Sequence, residues 1–267
     1  MADKSIDIGS SFELLSQEEW DKYLSTALFD DMCINAECFK KYEQQIFMHL
    51  PLGEAIHGHN NKVGDLRITY ALCKHYFDKG IPDDPWYISP GKDGCSIQYM
   101  PNFENEHWMR RYWFNHYSEN LYLKYFSLWD GIIGLLNIFY EINESLQDYR
   151  FRSKVMGELK KKQKPVFDFL SAILDDPIYK EANQYRTSFV HGIAPSVVSD
   201  GYVLEKDKLT ETVEMVNGTP QKRQVRAKLV LSCRVGNYTY VGTVMNNAEA
   251  FATFTGQKIQ ELIKLIA

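Results

Sequence analysis

Apolar positions recur at helical spacing over most of this chain. The longest such stretch covers residues 104–143, where aromatic and aliphatic residues follow one another at intervals of three, four or multiples of these. Its core-facing positions are Trp108, Tyr112, Tyr122, Phe126, Trp129, Ile133, Leu136 and Tyr140. An unbroken helix over this stretch would extend about 60 Å, so we expect a break near residues 116–118.

The same pattern predicts three helices on the N-terminal side. They cover residues 12–29, 31–50 and 65–79. Ser16 and Glu19 have the spacing of a capping box, and Pro51 is expected to end the second helix because proline interrupts the helical hydrogen bonds. The predicted connections are a loop over residues 51–64 and an irregular segment over 80–103 with a short strand at 96–100.

The pattern changes from helical to strand-like after Pro195. Residues rich in Val, Thr and Leu predict strands over 202–204, 212–216, 225–235 and 238–244. Asn217-Gly218 and Gly236-Asn237 are hairpin turn signals, so we expect a small antiparallel sheet with polar residues alternating along its exposed face. Asn246-Asn247 predicts the start of a final helix. Its apolar face should dock on the other helices through Phe251, Thr255, Ile259, Leu262 and Ile266.

These elements predict a mainly α protein in three parts. Residues 1–103 form an N-terminal helical region, and residues 104–195 an antiparallel helical bundle. Residues 196–267 add a small antiparallel β appendage and a C-terminal helix that packs on the bundle.

Composition narrows the function classes. The chain has 267 residues, of which 45% are hydrophobic and 24% charged, as in ordinary globular proteins. Its net charge of −5 argues against a surface coated with cations, but it leaves room for a local basic groove. The N-terminus lacks the apolar core of a signal peptide, and no apolar run has the length of a membrane span. We therefore expect a cytoplasmic protein that does not enter a membrane.

Neither a metal site nor a cofactor is predicted. The five cysteines, Cys33, Cys38, Cys73, Cys95 and Cys233, are scattered without a Cys-x-x-Cys pair, which is typical of reduced thiols. His57 and His59 lack a further ligand at metal-binding spacing, so they are interpreted as loop residues. Phosphate-binding loops, serine nucleophile elbows and zinc-protease helices are absent from the sequence.

The stretch with the clearest chemistry is Tyr-Arg-Thr-Ser-Phe-Val-His-Gly at residues 185–192. A buried helical stripe is predicted from Ile178, Ala182, Tyr185 and Phe189. Arg186 and His191 lie five residues apart, about 140° around an ideal helix. They converge only if the arginine stem reaches round or the last turn loosens. The alternative is a solvated helix surface.

The Arg-x4-His spacing, at the end of a helix and followed by Gly192, resembles the signature of the HEPN superfamily. The resemblance covers residues 104–195 and implies a HEPN-like helical bundle that acts as a metal-independent endoribonuclease, with Arg186 and His191 as the catalytic pair. It further implies a homodimeric cleft, a role in toxin–antitoxin or antiviral defence systems, and a possible antitoxin-like protein partner. The family often has Asn, Asp or His after the arginine, where this chain has Thr187.

Three residues are candidates for supporting the pair. They are Asp130, Asn137 and Thr187. Asp130 and Asn137 belong to a narrow polar stripe on the long aromatic helix. If Asp130 is buried in the bundle, it needs a cationic partner, and Arg186 is the best candidate because it stays charged when buried. The alternative is that this stripe faces water.

A concentration of cations precedes the motif. It comprises Arg150, Arg152, Lys154, Lys160, Lys161, Lys162 and Lys164, with Glu158 as the acid among residues 149–164. Such a run is usually a solvated face. If RNA binds, its phosphates are expected to follow this segment.

Three functions therefore stay open. The first is a HEPN-like endoribonuclease. The second is a HEPN-like module that binds a nucleotide or RNA without cleaving it, which Thr187 would allow. The third is a helical protein-interaction domain in which the motif is structural.

Overall fold

The computed structural model describes the backbone of residues 12–42 and 46–266, and the side chains of residues 12–39 and 50–266. The helices are α1 (Gln17–Leu24), α2 (Ile46–Asp78), α3 (Asn105–Phe139), α4 (Phe151–Lys162), α5 (Lys164–Asp175), α6 (Pro177–His191) and α7 (Val241–Ile266), with 3₁₀ helices at Ala27–Met32 and Ala36–Tyr42. The strands are β1 (Tyr87–Ile88), β2 (Gln98–Tyr99), β3 (Tyr202–Val216) and β4 (Thr219–Cys233). The predicted mainly α bundle with a small β appendage is confirmed.

The first predicted helix forms, but it is shorter than the predicted range of residues 12–29. The capping box is confirmed, because Glu19 N–H donates to the Ser16 hydroxyl and Ser16 N–H donates to the Glu19 carboxylate. The α-helix ends at Leu24, and a 3₁₀ helix follows. Part of the predicted second helix, residues 43–45, lies outside the described residues.

Helix α2 runs through the segment predicted as a loop. Its buried positions Leu52, Ile56, Val63, Leu66 and Tyr70 are spaced so that they form one continuous apolar face against α3. The proline and glycine residues in this part of α2, which commonly interrupt helices, do not disturb the packing. Pro51 is exposed, and a Cβ added at Gly53 or Gly58 would meet open space. Tertiary packing thus overrides the local propensity for a loop.

Helix α3 is continuous, so the predicted break near residues 116–118 is wrong. Phe114 and Leu121, on either side of this point, are fully buried in the core. Ser118 is buried as well and donates its hydroxyl to the carbonyl of Asn115 within the same helix. Packing on both sides therefore keeps the 35-residue helix intact.

Helix α7 begins earlier than predicted. The buried Asp83 carboxylate accepts hydrogen bonds from the Val241 N–H at 2.8 Å and the Tyr238 hydroxyl at 2.7 Å, which fixes the helix start. Asn247, expected as a cap, is buried inside the helix and accepts from the Tyr122 hydroxyl. The predicted apolar face is confirmed, since Phe251, Thr255, Ile259, Leu262 and Ile266 are all buried.

The β appendage is one long hairpin. The predicted strands over 202–216 merge into β3, which pairs with β4 in antiparallel register around the confirmed turn at Asn217 and Gly218. Both turn residues have positive φ, 53° and 77°, as a tight hairpin turn requires. The strand predicted over 238–244 does not form, because Val241 already begins α7.

The short strand predicted within residues 96–100 is confirmed as β2, which pairs with β1.

Most buried residues, from Phe29 to Ile266, join one hydrophobic cluster, to which α2, α3 and α7 contribute most. None of the described helices is both long and apolar enough to cross a membrane. The division at residues 103 and 195 stays a prediction.

Candidate functional site

Helix α6 carries the Arg-x4-His motif and is fixed at its start by Asp176, whose carboxylate accepts from the Ile178 N–H at 2.8 Å. The helix runs antiparallel to α3. Near its start the Tyr179 ring lies 5.3 Å from Phe126, and near its end the Phe189 ring lies 5.7 Å from Tyr122. Packing on α3 therefore sets the rotation of the motif.

The buried face of α6 differs from the predicted one. Ala182 and Phe189 are buried and Tyr185 is half-buried, as expected, but Ile178 is exposed and Tyr179 takes its place in the core. The buried positions are thus 179, 182 and 189. Arg186 is four residues after Ala182 and three before Phe189, so it falls on the core-facing stripe instead of its flank.

Arg186 is half-buried, and its guanidinium carbon lies 5.7 Å from the centre of the Phe126 ring. Its buried Nε has no hydrogen-bond acceptor, and the described side chains offer it no carboxylate. A partly desolvated guanidinium with unused donors is a favourable place for an anion, above all for a phosphate or carboxylate.

His191 occupies the last turn of α6 and is exposed, as is Thr187 one turn earlier. The helix ends at Gly192, whose N–H donates to the Ser188 carbonyl at 3.0 Å. The following segment is held against α3 because the buried Ser196 hydroxyl donates to the Asn115 side chain. One protomer therefore presents His191 to solvent and turns Arg186 towards α3.

The predicted Asp130–Arg186 pair is wrong. The Asp130 side chain is 63% exposed and lies 3.5 Å from Arg152 at the start of α4. Arg152 also donates to the Tyr179 hydroxyl at 3.4 Å, so it links α3, α4 and the start of α6. Asp130 faces water because the adjacent Trp129, Ile132 and Ile133 are the α3 positions that the core buries.

Asn137 does not adjoin the motif. It lies eleven residues after Phe126, about 16 Å further along α3. Its buried amide donates to the Glu144 carbonyl at 3.1 Å and accepts from the Glu144 N–H at 3.0 Å. These bonds fasten the connection between α3 and α4, so the expected supporting role is replaced by a structural one.

Most cations of the basic segment pair with its own Glu158 or with acids that lie outside the segment. Lys154 pairs with Glu144 and Asp148, Lys161 and Lys162 pair with Glu158, Lys164 pairs with Asp168, and Arg150 lies 3.9 Å from Asp148. The hydrogen bond from Lys154 lowers the pKa of the Asp148 carboxyl, which keeps that pair ionised. Lys160 is exposed and contacts the Phe167 ring at 5.6 Å. The positive charge of the segment that RNA phosphates were expected to follow is therefore partly neutralised.

Sequence reasoning missed the environment of Arg186. The signal was available, because Tyr179, Ala182, Arg186 and Phe189 follow each other at intervals of three, four and three. A stripe that starts at Ile178 instead of Tyr179 gives the helix a different predicted orientation, in which Arg186 lies at the edge of the buried face. Aromatic residues on α3 could not be assigned as its neighbours without the tertiary fold.

Among the residues that the structure describes, no cluster of three or more His, Cys, Asp or Glu side chains could hold a metal ion. In comparisons with known proteins, a family model described as HEPN_Cthe2314-like HEPN matches residues 56–240. The match extends beyond the segment where the sequence resemblance was noted, and it includes most of α2, the motif helix and the β hairpin. No curated protein and no solved structure matches the chain.

Proposed function

Since the chain belongs to the HEPN_Cthe2314-like HEPN family, we propose that it is a metal-independent endoribonuclease whose cleft forms between two copies of α6. Arg186 and His191 are the catalytic residues in this proposal. Arg186 holds the scissile phosphate, and His191 transfers protons.

The main support for the proposal is that Arg186 is partly buried without a counter-ion among the described residues. A half-buried guanidinium normally has a carboxylate partner, because leaving the charge uncompensated costs stability. Within the described part of the chain, the Arg186 guanidinium lies beside the Phe126 ring, pairs with no carboxylate and has a buried Nε without an acceptor. An RNA phosphate would supply the missing acceptors and would accumulate charge on its oxygens during cleavage, which bidentate hydrogen bonds from arginine stabilise.

His191 supplies the proton chemistry. A neutral imidazole takes the proton of the ribose 2′-hydroxyl, whose oxygen attacks the adjacent phosphorus. The bond from phosphorus to the 5′-oxygen breaks, and an imidazolium protonates that leaving oxygen. The products are a 2′,3′-cyclic phosphate and a 5′-hydroxyl, and no metal ion or redox partner is needed. Two histidines, one acting as base and one as acid, complete the cycle.

The second histidine is proposed to come from a second copy of the chain. His191 is exposed at the end of α6, and the large apolar side chains Val190 and Ile193 beside it are 40% and 51% exposed. Exposed apolar groups around a half-site favour covering by another protein surface. A two-fold axis near His191 would bring both motifs to one phosphate.

The seven basic residues at 150–164 are proposed to guide RNA with moderate strength. Several of them are already ion-paired, so each contributes less than a free cation would. Arg150 and Lys162 have the longest carboxylate contacts of this group, at 3.9 and 3.8 Å, and Lys160 has none among the described residues, so these three are expected to contribute most. Binding should weaken as salt rises, because phosphate neutralisation releases counterions.

A non-catalytic RNA-binding or nucleotide-binding module is the second candidate. It is favoured by Thr187, which is exposed beside the pair and offers a hydroxyl where the family often has a stronger hydrogen-bonding group. In that case Arg186 would still bind phosphate, but His191 would not cleave.

Cleavage of a mixed RNA pool in EDTA tests the proposal. The proteins to compare are the wild type, His191→Ala, Arg186→Gln and the control His57→Ala, which removes an exposed histidine on α2. Wild type and control should cut and leave cyclic-phosphate ends. Loss of a proton-transfer group should reduce the rate about 10²–10⁴-fold in His191→Ala. Binding without cleavage by the wild type would favour the second candidate, and equal cleavage by all four proteins would place the activity elsewhere.

A further inference from the structure

A groove of about 520 Å³ lies between α2, α3 and the segment leading into α4. Its walls are mostly apolar and include Ile133, Ile138, Leu146 and Phe151. No residue of α6 lines it, so it is separate from the Arg-x4-His motif. A groove of this size fits a small organic molecule.

Glycines keep one end of the groove open. Gly58 on α2 and Gly131 on α3 both line it. A Cβ at Gly131 would lie 3.6 Å from Lys62 Nζ and 3.9 Å from His59 Nδ1, so these two polar atoms converge on the space that the missing side chain leaves.

His59 presents an unused hydrogen-bond acceptor there. Its side chain is buried, with 2% of its surface exposed, and its Nε2 lies 2.9 Å from the Met32 carbonyl oxygen. Because a carbonyl only accepts, Nε2 must carry the proton, and Nδ1 is then a bare acceptor. Among the described residues no donor reaches Nδ1. Burial lowers the pKa of His59, so the ring stays neutral at neutral pH.

The charged side chains of the groove are Lys62, Arg152 and Asp130. Lys62 donates to the Ser127 carbonyl at 3.1 Å, and Arg152 contacts Asp130 at 3.5 Å. Lys62 and Arg152 each keep N–H donors that these two contacts do not use. The two positive charges also outnumber the single negative charge of Asp130. The groove therefore favours a ligand with a negative charge.

We propose that this groove binds a small organic anion with an apolar body and an N–H or O–H donor directed at His59 Nδ1. The apolar body contacts Ile133, Ile138 and Phe151, and the anionic group lies near Lys62 and Arg152. The donor satisfies His59 Nδ1, which has no partner among the described residues.

Titration of the full chain with indole-3-acetate tests the proposal, since this probe has a planar ring, an N–H and a carboxylate. A ligand of this size should bind one site with a Kd on the order of 1 mM. Methylating the indole nitrogen should weaken binding about tenfold, because the donor to Nδ1 is lost. Tryptamine, which carries a cation instead of the carboxylate, should bind more weakly still.

Gly131→Ala locates the site. The added methyl has ordinary contact distances and no positive φ, so the fold should tolerate it, but it fills the space beside Nδ1 and should weaken indole-3-acetate about tenfold. Gly53→Ala is the control, because it lies in α2 with open space around it and should bind normally. Absence of binding at ~10 mM, equal binding of the methylated probe, tighter binding of tryptamine or equal effects of the two glycine variants would each overturn the proposal.

Discussion

Arg186 occupies a position that packing alone would give to an apolar residue. It lies on the stripe formed by Tyr179, Ala182 and Phe189, and its charge contacts the Phe126 ring but no carboxylate of the described residues. Arg67 is a natural comparison. Its side chain is 23% exposed, it lies 5.9 Å from the Phe29 ring, and it has the Asp30 carboxylate at 2.5 Å. The two arginines therefore differ mainly in their counter-ion.

This difference predicts opposite effects of the same substitution. Arg186→Met should raise the free energy of unfolding by on the order of 1 kcal/mol, because an uncompensated charge leaves a partly buried position. Arg67→Met should lower it, because Asp30 loses its partner. Urea denaturation of both variants gives the comparison. A loss of stability in Arg186→Met equal to that in Arg67→Met would show that Arg186 has a structural function.

Asn137 is the clearest residue whose role the sequence suggested wrongly. An asparagine in a polar stripe has the same pattern whether it faces a site or fastens a loop, and only the position of Glu144 distinguishes the two. The same ambiguity applies to Asp130, whose partner Arg152 lies in another helix. Hydrophobic periodicity predicts burial, but it does not predict which polar groups from distant segments meet.

Asn137→Ala should destabilise the protein without a direct effect on chemistry. Both hydrogen bonds to the Glu144 backbone are lost and leave buried groups unpaired, at a cost of about 1–3 kcal/mol. Asn61→Ala, an exposed change on α2, should alter stability by less than about 0.5 kcal/mol. Urea denaturation measures both, and RNA cleavage at low temperature should be unchanged. Loss of cleavage in a folded Asn137→Ala protein would restore its proposed place in the site.

At the scale of elements, strong hydrophobic periodicity predicts helices and turns correctly, whereas proline and glycine residues suggest helix ends that do not occur. Most of the aromatic face of α3, the core face of α7 and the Asn217-Gly218 turn could be predicted, because each depends on spacing within a short segment. Tyr112, predicted on the core face of α3, is 45% exposed. The continuity of α2 and α3 could not, since it depends on each helix burying the other. The hairpin was predicted as separate strands because the exposed middle of β3 and β4 lacks a buried face.

The hairpin itself contributes little to the stability of the helical body. Apart from their bases, β3 and β4 pack on each other, and their large apolar side chains are exposed, including Leu204, Leu209, Val213, Met215, Leu229 and Leu231. Isolated two-stranded hairpins are marginally stable. This long arm is therefore separable from the core.

Excising residues 206–229 and joining Glu205 to Val230 through Asn-Gly should leave the core intact. The two residues already pair across the strands, so the new turn closes a natural register. The Tm should change by less than about 5 °C, because few core contacts are removed. Calorimetry provides the measurement. A much larger fall would mean that the arm folds back on the helices in solution.

At the scale of the whole molecule, the proposed function needs a second copy. A single protomer presents His191 to solvent while Arg186 faces α3, and the proposal treats this arrangement as half of a symmetric site. The sequence indicated the motif and, by resemblance, the dimer, but it did not indicate which surface surrounds the motif. That surface includes Val190 and Ile193, which are exposed although their spacing from Arg186 and Phe189 is helical.

Ile193→Glu should separate the two copies. A charge in the proposed interface loses solvation on assembly, so the dimer dissociation constant should rise at least about tenfold, and cleavage should fall with it. Leu209→Glu, on the exposed hairpin, is the matched control and should change neither. Sedimentation velocity over a concentration series measures assembly. A monomeric Ile193→Glu protein that still cleaves at the wild-type rate would show that one protomer is sufficient.

The helix that completes the core is also the last described element to be synthesised. Val244, Phe251 and Ile259 of α7 are buried in the same cluster as α2 and α3, and Phe251 contacts Tyr179 of the motif helix. A nascent chain that lacks residues 241–266 therefore exposes the apolar faces of its earlier helices. We therefore expect the motif to reach its final position only after α7 has left the ribosome and has packed on the earlier helices.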